Sequence, residues 1–285
     1  MEFGQQRFSR AARVCALMML AMLSACGGSE ADDDALAKPA EQSTLIDEKN
    51  ETVEALYDKA FETFNRKAFK PAIEQFEEVE RQHPFSEWAA RAQIMAAYSA
   101  YRGGQFDDAI VILDRFVKLH PTHPSAAYAY YLTALTYYTQ ISDVGRDQKA
   151  TEQARTALKD VIERFPDSDY ARDAKIKYDL TEDHLAGKEM EVGRYYLKRM
   201  DYSAAIKRFK YVIDHYQTTS HTPEALHRLV EAYLRLGVLP EAKKYAAVLG
   251  YNQPGSDWYK YSYEMLQGNL SPEEKKSFLQ NYMKL

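Results

Sequence analysis

The chain has 285 residues, of which 46% are apolar and 28% charged, with 12 glycines and 10 prolines; it can bury one or two cores and is too apolar to be disordered throughout. Its formal charge of −5 argues against nucleic acid as a partner. Both cysteines, Cys15 and Cys26, lie near the start, so the rest of the chain has no thiol for a disulfide, a metal site or a nucleophile.

In chain order, Arg7, Arg10 and Arg13 precede an apolar run from Val14 to Leu23. The run is too short to span a bilayer as a helix, and the pattern predicts a signal peptide over residues 1–25. Leu23-Ser24-Ala25-Cys26 resembles the lipobox of bacterial lipoproteins, in which the cysteine becomes the first mature residue and is acylated. Cys26 is thus the expected lipid attachment site. Losing residues 1–25 removes three arginines and one glutamate and leaves a formal charge of −7. By the same resemblance, Gly27 stands where an aspartate would favour the inner membrane, so the expected location is the outer membrane, periplasmic face. Residues 26–52, rich in Asp, Glu, Ala and Ser, are expected to be a lipidated flexible tether. At coil dimensions it would place the first helix about 25 to 30 Å from the anchor.

From Val53 the sequence repeats itself. Leu56, Ala60, Phe69, Ala72, Phe76 and Pro84 recur 37 residues on as Gln93, Ala97, Phe106, Ala109, Leu113 and Pro121, and only the first of the six changes character. Small residues at helical spacing let two antiparallel helices approach, large ones fill the space beside them, and the proline cannot continue the second helix. The pattern is similar to the tetratricopeptide repeat. A third unit opens at Ala127 with Tyr130, Tyr131, Ala134 and Tyr138, and its second helix carries Ala154, Leu158, Val161 and Pro166, displaced by eight residues. The displacement places an insertion near Ile141–Gln148, a candidate contact surface.

Asp167 and Ser168 offer a cap to a long helix over Tyr170–Arg199, with Gly187 as a candidate bend. Its second half resumes the repeat with Gly193 and Tyr196, followed by Tyr202, Ala205, Phe209 and Val212, though Gln217 replaces the closing proline. Leu226, Tyr233, Gly237, Ala242, Leu249 and Pro254 carry the fifth unit, for which Thr222-Pro223 suggests a cap and first turn. Trp258–Leu266 reads as an aromatic-rich helix covering the last exposed core. Ser271-Pro272-Glu273-Glu274 fits a capping box opening a final short helix. The expected fold is all-α: a tetratricopeptide-repeat solenoid of five helix pairs over residues 53–254, with C-terminal capping helices over 255–285 and a right-handed, concave superhelix.

The sequence offers no Gly-rich phosphate loop, HExxH or Gly-x-Ser-x-Gly, so no catalytic residues, metal or cofactor are expected. His120 and His123 are the nearest thing to a metal pair, but they fall in a turn between repeats. In tetratricopeptide proteins, certain first-helix positions tend to face the concave side. Here they hold Tyr57, Phe61 and Phe64 in the first unit and Tyr98, Tyr101 and Arg102 in the second. Aromatic faces flanked by arginine suit an extended peptide with aromatic side chains and a carboxylate. The same rings could equally serve packing between repeats.

Three phrases carry a more specific resemblance: Leu-Asp-Arg-Phe-Val-Lys-Leu-His-Pro-Thr-His-Pro at 113–124, Arg-Asp-Gln-Lys-Ala-Thr-Glu-Gln-Ala-Arg at 146–155, and Arg-Phe-Pro-Asp-Ser-Asp-Tyr-Ala-Arg-Asp-Ala at 164–174. With the lipobox, the acidic tether and five repeats, they make the chain resemble the BamD (ComL) family, lipoproteins of the outer-membrane β-barrel assembly machine. The resemblance implies a non-enzymatic scaffold. It also implies that the C-terminal repeats bind the periplasmic POTRA region of the barrel-forming subunit, Arg208 taking part, and that the N-terminal repeats receive the C-terminal signal of unfolded outer-membrane proteins. Other assembly lipoproteins and the membrane, through the N-terminal lipid, complete the implied partners. Two rival readings are a pilotin for secretin assembly, against which the long helix and the three phrases argue, and a lipoprotein regulator of a cell-wall enzyme.

Overall fold

The computed structural model describes residues 52–269, and these hold eleven α-helices. The signal peptide, Cys26, the tether up to residue 51 and the capping box at Ser271 lie outside the described residues. The helices pair as the 37-residue period requires. α1 (Val53–Asn65) and α2 (Phe69–Gln82) form the first pair, and α3 (Glu87–Arg102) and α4 (Phe106–Leu119) the second. α5 (Ala126–Thr139) and α6 (Lys149–Arg164) form the third, followed by α7 (Asp169–Lys198) with α8 (Tyr202–His215) and α9 (Thr222–Arg235) with α10 (Leu239–Asn252). α11 (Asp257–Asn269) packs on α9 and α10 and closes the stack. Each helix packs on the next along the chain, and α1 meets α3, α3 meets α5, and α5 meets α7.

The interlock inside each pair follows from complementary volumes at two positions. Ala60 with Phe76, Ala97 with Leu113, Ala134 with Leu158 and Val230 with Ala246 occupy them in units one, two, three and five, and all eight are sealed from solvent. The fifth unit therefore inverts the sizes and puts the larger residue on the first helix. In the fourth, Gly193 faces Phe209: a Cβ there would lie 2.4 Å from Phe209 Cε1. Only glycine lets this ring close on the facing backbone.

The helix ends repeat as well. His83, His120, Phe165, Tyr216 and Gln253 cap the second helices with φ between −144° and −128° and ψ between 45° and 65°. Proline follows in four cases and disfavours helical backbone before it; Tyr216 takes the same conformation ahead of Gln217. At the opposite turn, fifteenth in the unit, Lys67, Gly104, Met200 and Gly237 all have positive φ, 62° to 75°. A side chain costs roughly 1 to 2 kcal/mol in this left-handed region, and Met200 is also largely exposed. Met200→Gly is therefore expected to raise the melting temperature by about 2 to 4 °C, net of glycine's entropy in the unfolded chain. A thermal melt followed by circular dichroism checks this, and an unchanged or lower midpoint contradicts it.

One expectation needs amendment. Thr222 does not cap α9: it is the first helical residue, and its hydroxyl donates to Tyr216 O at 2.9 Å and Gln217 O at 3.1 Å, tying down the preceding turn. His221 takes the cap position without a side-chain bond. The expected long helix is present as one unbroken element over residues 169–198, and Gly187 admits a close neighbour: a Cβ on it would stand 3.1 Å from His221 Nε2. Ser168 caps α7 by accepting from Ala171 N at 3.1 Å. α7 is shared between two hydrophobic clusters, Ala174 belonging to the middle one and the stretch from Leu185 onward to the C-terminal one.

Candidate functional site

The sequence predicts a surface on the first helices of units one and two, and their rings form an unbroken series. The Tyr57 ring centroid lies 6.4 Å from Phe61, Phe61 lies 6.2 Å from Phe64, Phe64 lies 5.6 Å from Tyr98, and Tyr98 lies 6.3 Å from Tyr101. Helical spacing sets each helix's share of the series, and α1–α3 packing joins the shares. Three of the five rings are partly committed to packing or hydrogen bonding. Tyr57 stands on Phe76 at 5.4 Å and Trp88 at 4.9 Å, Phe64 on Phe69 at 5.8 Å, and the Tyr101 hydroxyl meets Thr139 Oγ1 at 3.2 Å. Phe61 is 40% exposed and is the ring most open to a ligand.

Arg102 is exposed at the end of the series. Its guanidinium lies over Tyr98 (5.7 Å) and Phe69 (5.9 Å), and its Nη1 donates to the Tyr98 hydroxyl at 3.1 Å. It has no carboxylate partner among the described residues, so its remaining donors can take a carboxylate. Burial raises the Tyr57 phenol, against the pull of Arg91, so it stays a neutral hydrogen-bonding group at ordinary pH.

Arg208 lies on α8, away from this surface in the chain, and is 46% exposed along its side chain. Its Nη1 donates to both carboxylate oxygens of Glu189 on α7, at 3.0 and 3.4 Å. Glu189 is the less exposed partner, at 20%; nothing in the sequence marks it, because the two residues sit 19 apart on different helices. A carboxylate approaching Arg208 must share it with Glu189.

His120 and His123 fall in the turn between α4 and α5, with ring centroids 6.1 Å apart. His123 Nδ1 already accepts from Ser125 N at 3.0 Å. At the other end of the stack, His227 on α9 is buried, and its Nδ1 lies 2.9 Å from Ser262 Oγ on α11. The Ser262 hydroxyl donates to Trp258 O at 2.9 Å, which leaves its oxygen to accept from a His227 Nδ1–H. Burial foremost, then the neighbouring Arg228 charge, pulls the imidazole down to about 4, against the opposite pull of Glu231 and Glu224.

Five helix pairs closed by a packed terminal helix define a tetratricopeptide-repeat protein. A family model described as YfiO, outer membrane lipoprotein, matches residues 49–249. The outer membrane protein assembly factor BamD of Caulobacter vibrioides is 49% identical over 259 residues, 91% of this chain and 81% of that one. The protein of the same name from Rickettsia prowazekii is 48% identical over 75% of this chain and 86% of its own. Among solved structures, the TPR2AB domains of yeast Sti1 align over 80% of this chain and 87% of that one, with 14% identity and a TM-score of 0.39. The chain belongs to the BamD family of outer-membrane protein assembly factors. Among the described residues no helix is long and apolar enough to cross a membrane.

Proposed function

We propose that the chain is a non-enzymatic scaffold of outer-membrane β-barrel assembly, held to the periplasmic face of the outer membrane by lipid on Cys26. Its C-terminal repeats bind the POTRA region of the barrel-forming subunit through a surface that includes Arg208. Its N-terminal repeats receive the C-terminal signal of unfolded outer-membrane proteins on Tyr57, Phe61, Phe64, Tyr98, Tyr101 and Arg102. The observation that carries this reading is 49% identity with an outer membrane protein assembly factor over 91% of the chain. An aromatic series ending in an arginine free of carboxylate partners among the described residues suits a strand of alternating aromatics that ends in a carboxylate.

Affinity purification of the tagged full-length protein from its native membrane in mild detergent tests the reading. Recovery of a large barrel protein with POTRA domains is expected; recovery of a secretin or a cell-wall enzyme without that barrel would overturn it. For the N-terminal surface, Tyr98→Ala with Arg102→Ala is expected to weaken binding of a barrel-protein C-terminal peptide by about tenfold or more, given two lost contacts at one site. Fluorescence anisotropy reads the affinity and circular dichroism the helical content, which should not change. Parental affinity in the double variant removes these residues from the site.

A further inference from the structure

A groove of about 730 Å³ is lined by the second helices of units two and three, α4 and α6, and by α5. Each helix contributes one stripe: residues 107, 110, 111, 114 and 117 from α4, 130, 133 and 137 from α5, and 149 to 160 at intervals of three and four or one from α6. The floor is apolar, made chiefly by Ile110, Val117, Tyr130, Tyr137 and Ala157, and Val111 on its edge is 67% exposed. A second depression shares Val111, Tyr137 and Lys149 with the first and carries the groove to Gln140 and Asp147 in the α5–α6 connection. None of the aromatic series on α1 and α3 lines it, nor does Arg208.

The groove's charge is one-sided. Asp107, Asp114, Asp147, Glu152 and Asp160 line it against a single cation, Lys149. Only Asp114 of the five carboxylates has an ion-pair partner among the described residues, Lys118 of its own helix. An apolar floor between largely unpaired carboxylates repels an acidic segment and attracts apolar side chains flanked by lysine or arginine.

Length and backbone chemistry narrow the occupant further. From Asp107 to Val117 the α4 wall runs about 15 Å at 1.5 Å per residue, nearly three turns of a facing helix. The walls are helical throughout, so their main-chain groups are already paired and offer no edge to a strand. We propose that this groove docks an amphipathic helix of about three turns from a partner protein, its apolar stripe seated beside Val111 and its flanks basic. The site is separate from the aromatic series and from Arg208.

The test uses the whole chain from residue 26 onward with Cys26→Ser, so that no detergent competes for the peptide. The probes are two fluorescein-labelled helical peptides with leucines at i, i+3, i+4 and i+7, one flanked by lysines and the other by glutamates. The lysine peptide is expected to bind at least tenfold more tightly than the glutamate peptide, and its affinity should fall as salt rises. Val111→Asn, which removes the apolar contact without adding charge, should weaken binding of the lysine peptide tenfold or more, with an unchanged melting midpoint. Asp160→Lys, on the opposite wall, supplies an independent variant and should lower both affinity and salt dependence. Equal affinity for the two peptides, or parental binding by both variants, overturns the proposal. So does a dimer in sedimentation that Val111→Asn dissolves, because the groove would then belong to a second copy of the chain.

Discussion

Reversing the charge at Arg208 is expected to weaken binding of the POTRA region by about 30-fold or more while leaving the chain folded. Truncating or reversing one member of a buried interfacial ion pair costs roughly 2 to 5 kcal/mol, and every 1.4 kcal/mol is about tenfold in affinity. The cost to the free chain is far smaller. The pair with Glu189 is half exposed on the arginine side, and such pairs contribute roughly 0.2 to 1 kcal/mol, or at most about 2 to 4 °C in melting temperature for a domain of this size. Combining Arg208→Glu with Glu189→Arg separates the two roles, because it restores the pairing within the chain while leaving a carboxylate where the partner expects a cation. Isothermal titration of both variants with the isolated POTRA region should show binding lost in each. Binding restored by the swap would mean that Arg208 only orients α7 against α8, and the proposed contact would fall.

Acid should release α11. The imidazole of His227 has a folded-state value of about 4 against an ordinary 6.5, so above pH 6.5 it is neutral in both states and its contribution is fully present. As pH falls from 6.5 toward 4, the released form binds a proton that the packed form refuses, and stability is lost at about 1.4 kcal/mol per unit, roughly 3 kcal/mol in all. The charged groups bearing on the ring are Arg228, Glu231 and Glu224; Trp258, Tyr261 and Ser262 face it from α11. Because Trp258 lies 5.2 Å from the ring and has Arg228 over it at 5.5 Å, its fluorescence reports the seam once Trp88 is replaced by phenylalanine. The emission should shift red between about pH 6 and pH 4.5, and the shift should vanish in His227→Gln, which keeps a hydrogen-bonding group but does not titrate. An identical shift in the variant would assign the acid response to carboxylates elsewhere.

What could be read from the residues was whatever the repeat enforces. Ala60, Ala97 and Ala134 must be small because a neighbouring helix lies against them, so they mark the register, and Gly193 marks it again for Phe209. The insertion at Ile141–Gln148 was legible as a break in that register and forms the α5–α6 connection. The turn at the fifteenth position was only half legible. Gly104 and Gly237 announce a left-handed residue, but Lys67 and Met200 hold the same backbone with side chains that give no sign of it. Thr222 misled because threonine before proline is a common helix start, and here its hydroxyl is spent on the turn behind it. The aromatic series was visible residue by residue, whereas the division of each ring between packing and open surface depends on neighbours such as Trp88 and Phe76. The contacts Arg208–Glu189 and His227–Ser262 join positions on separate helices that no local pattern relates. The α4–α6 groove was hidden for the same reason, since each wall alone reads as an ordinary amphipathic helix.

In a linear array of repeats, the cooperativity between adjacent members is normally an interface free energy, and two blocks part when that interface is weak. α7 reinforces one such interface with continuous main chain, since it packs on α5 and α6 and runs on into the fourth unit. Thirty residues at 1.5 Å each make a rod of about 45 Å, whose first half is anchored in the middle cluster and whose second half is anchored in the C-terminal one. Separating the blocks would mean either stripping one half of this rod from its cluster or melting consecutive hydrogen bonds within it. The fourth unit therefore couples its neighbours through one continuous helix, and strain applied at α8 is passed along α7 to the helices packed on its first half, α5 and α6.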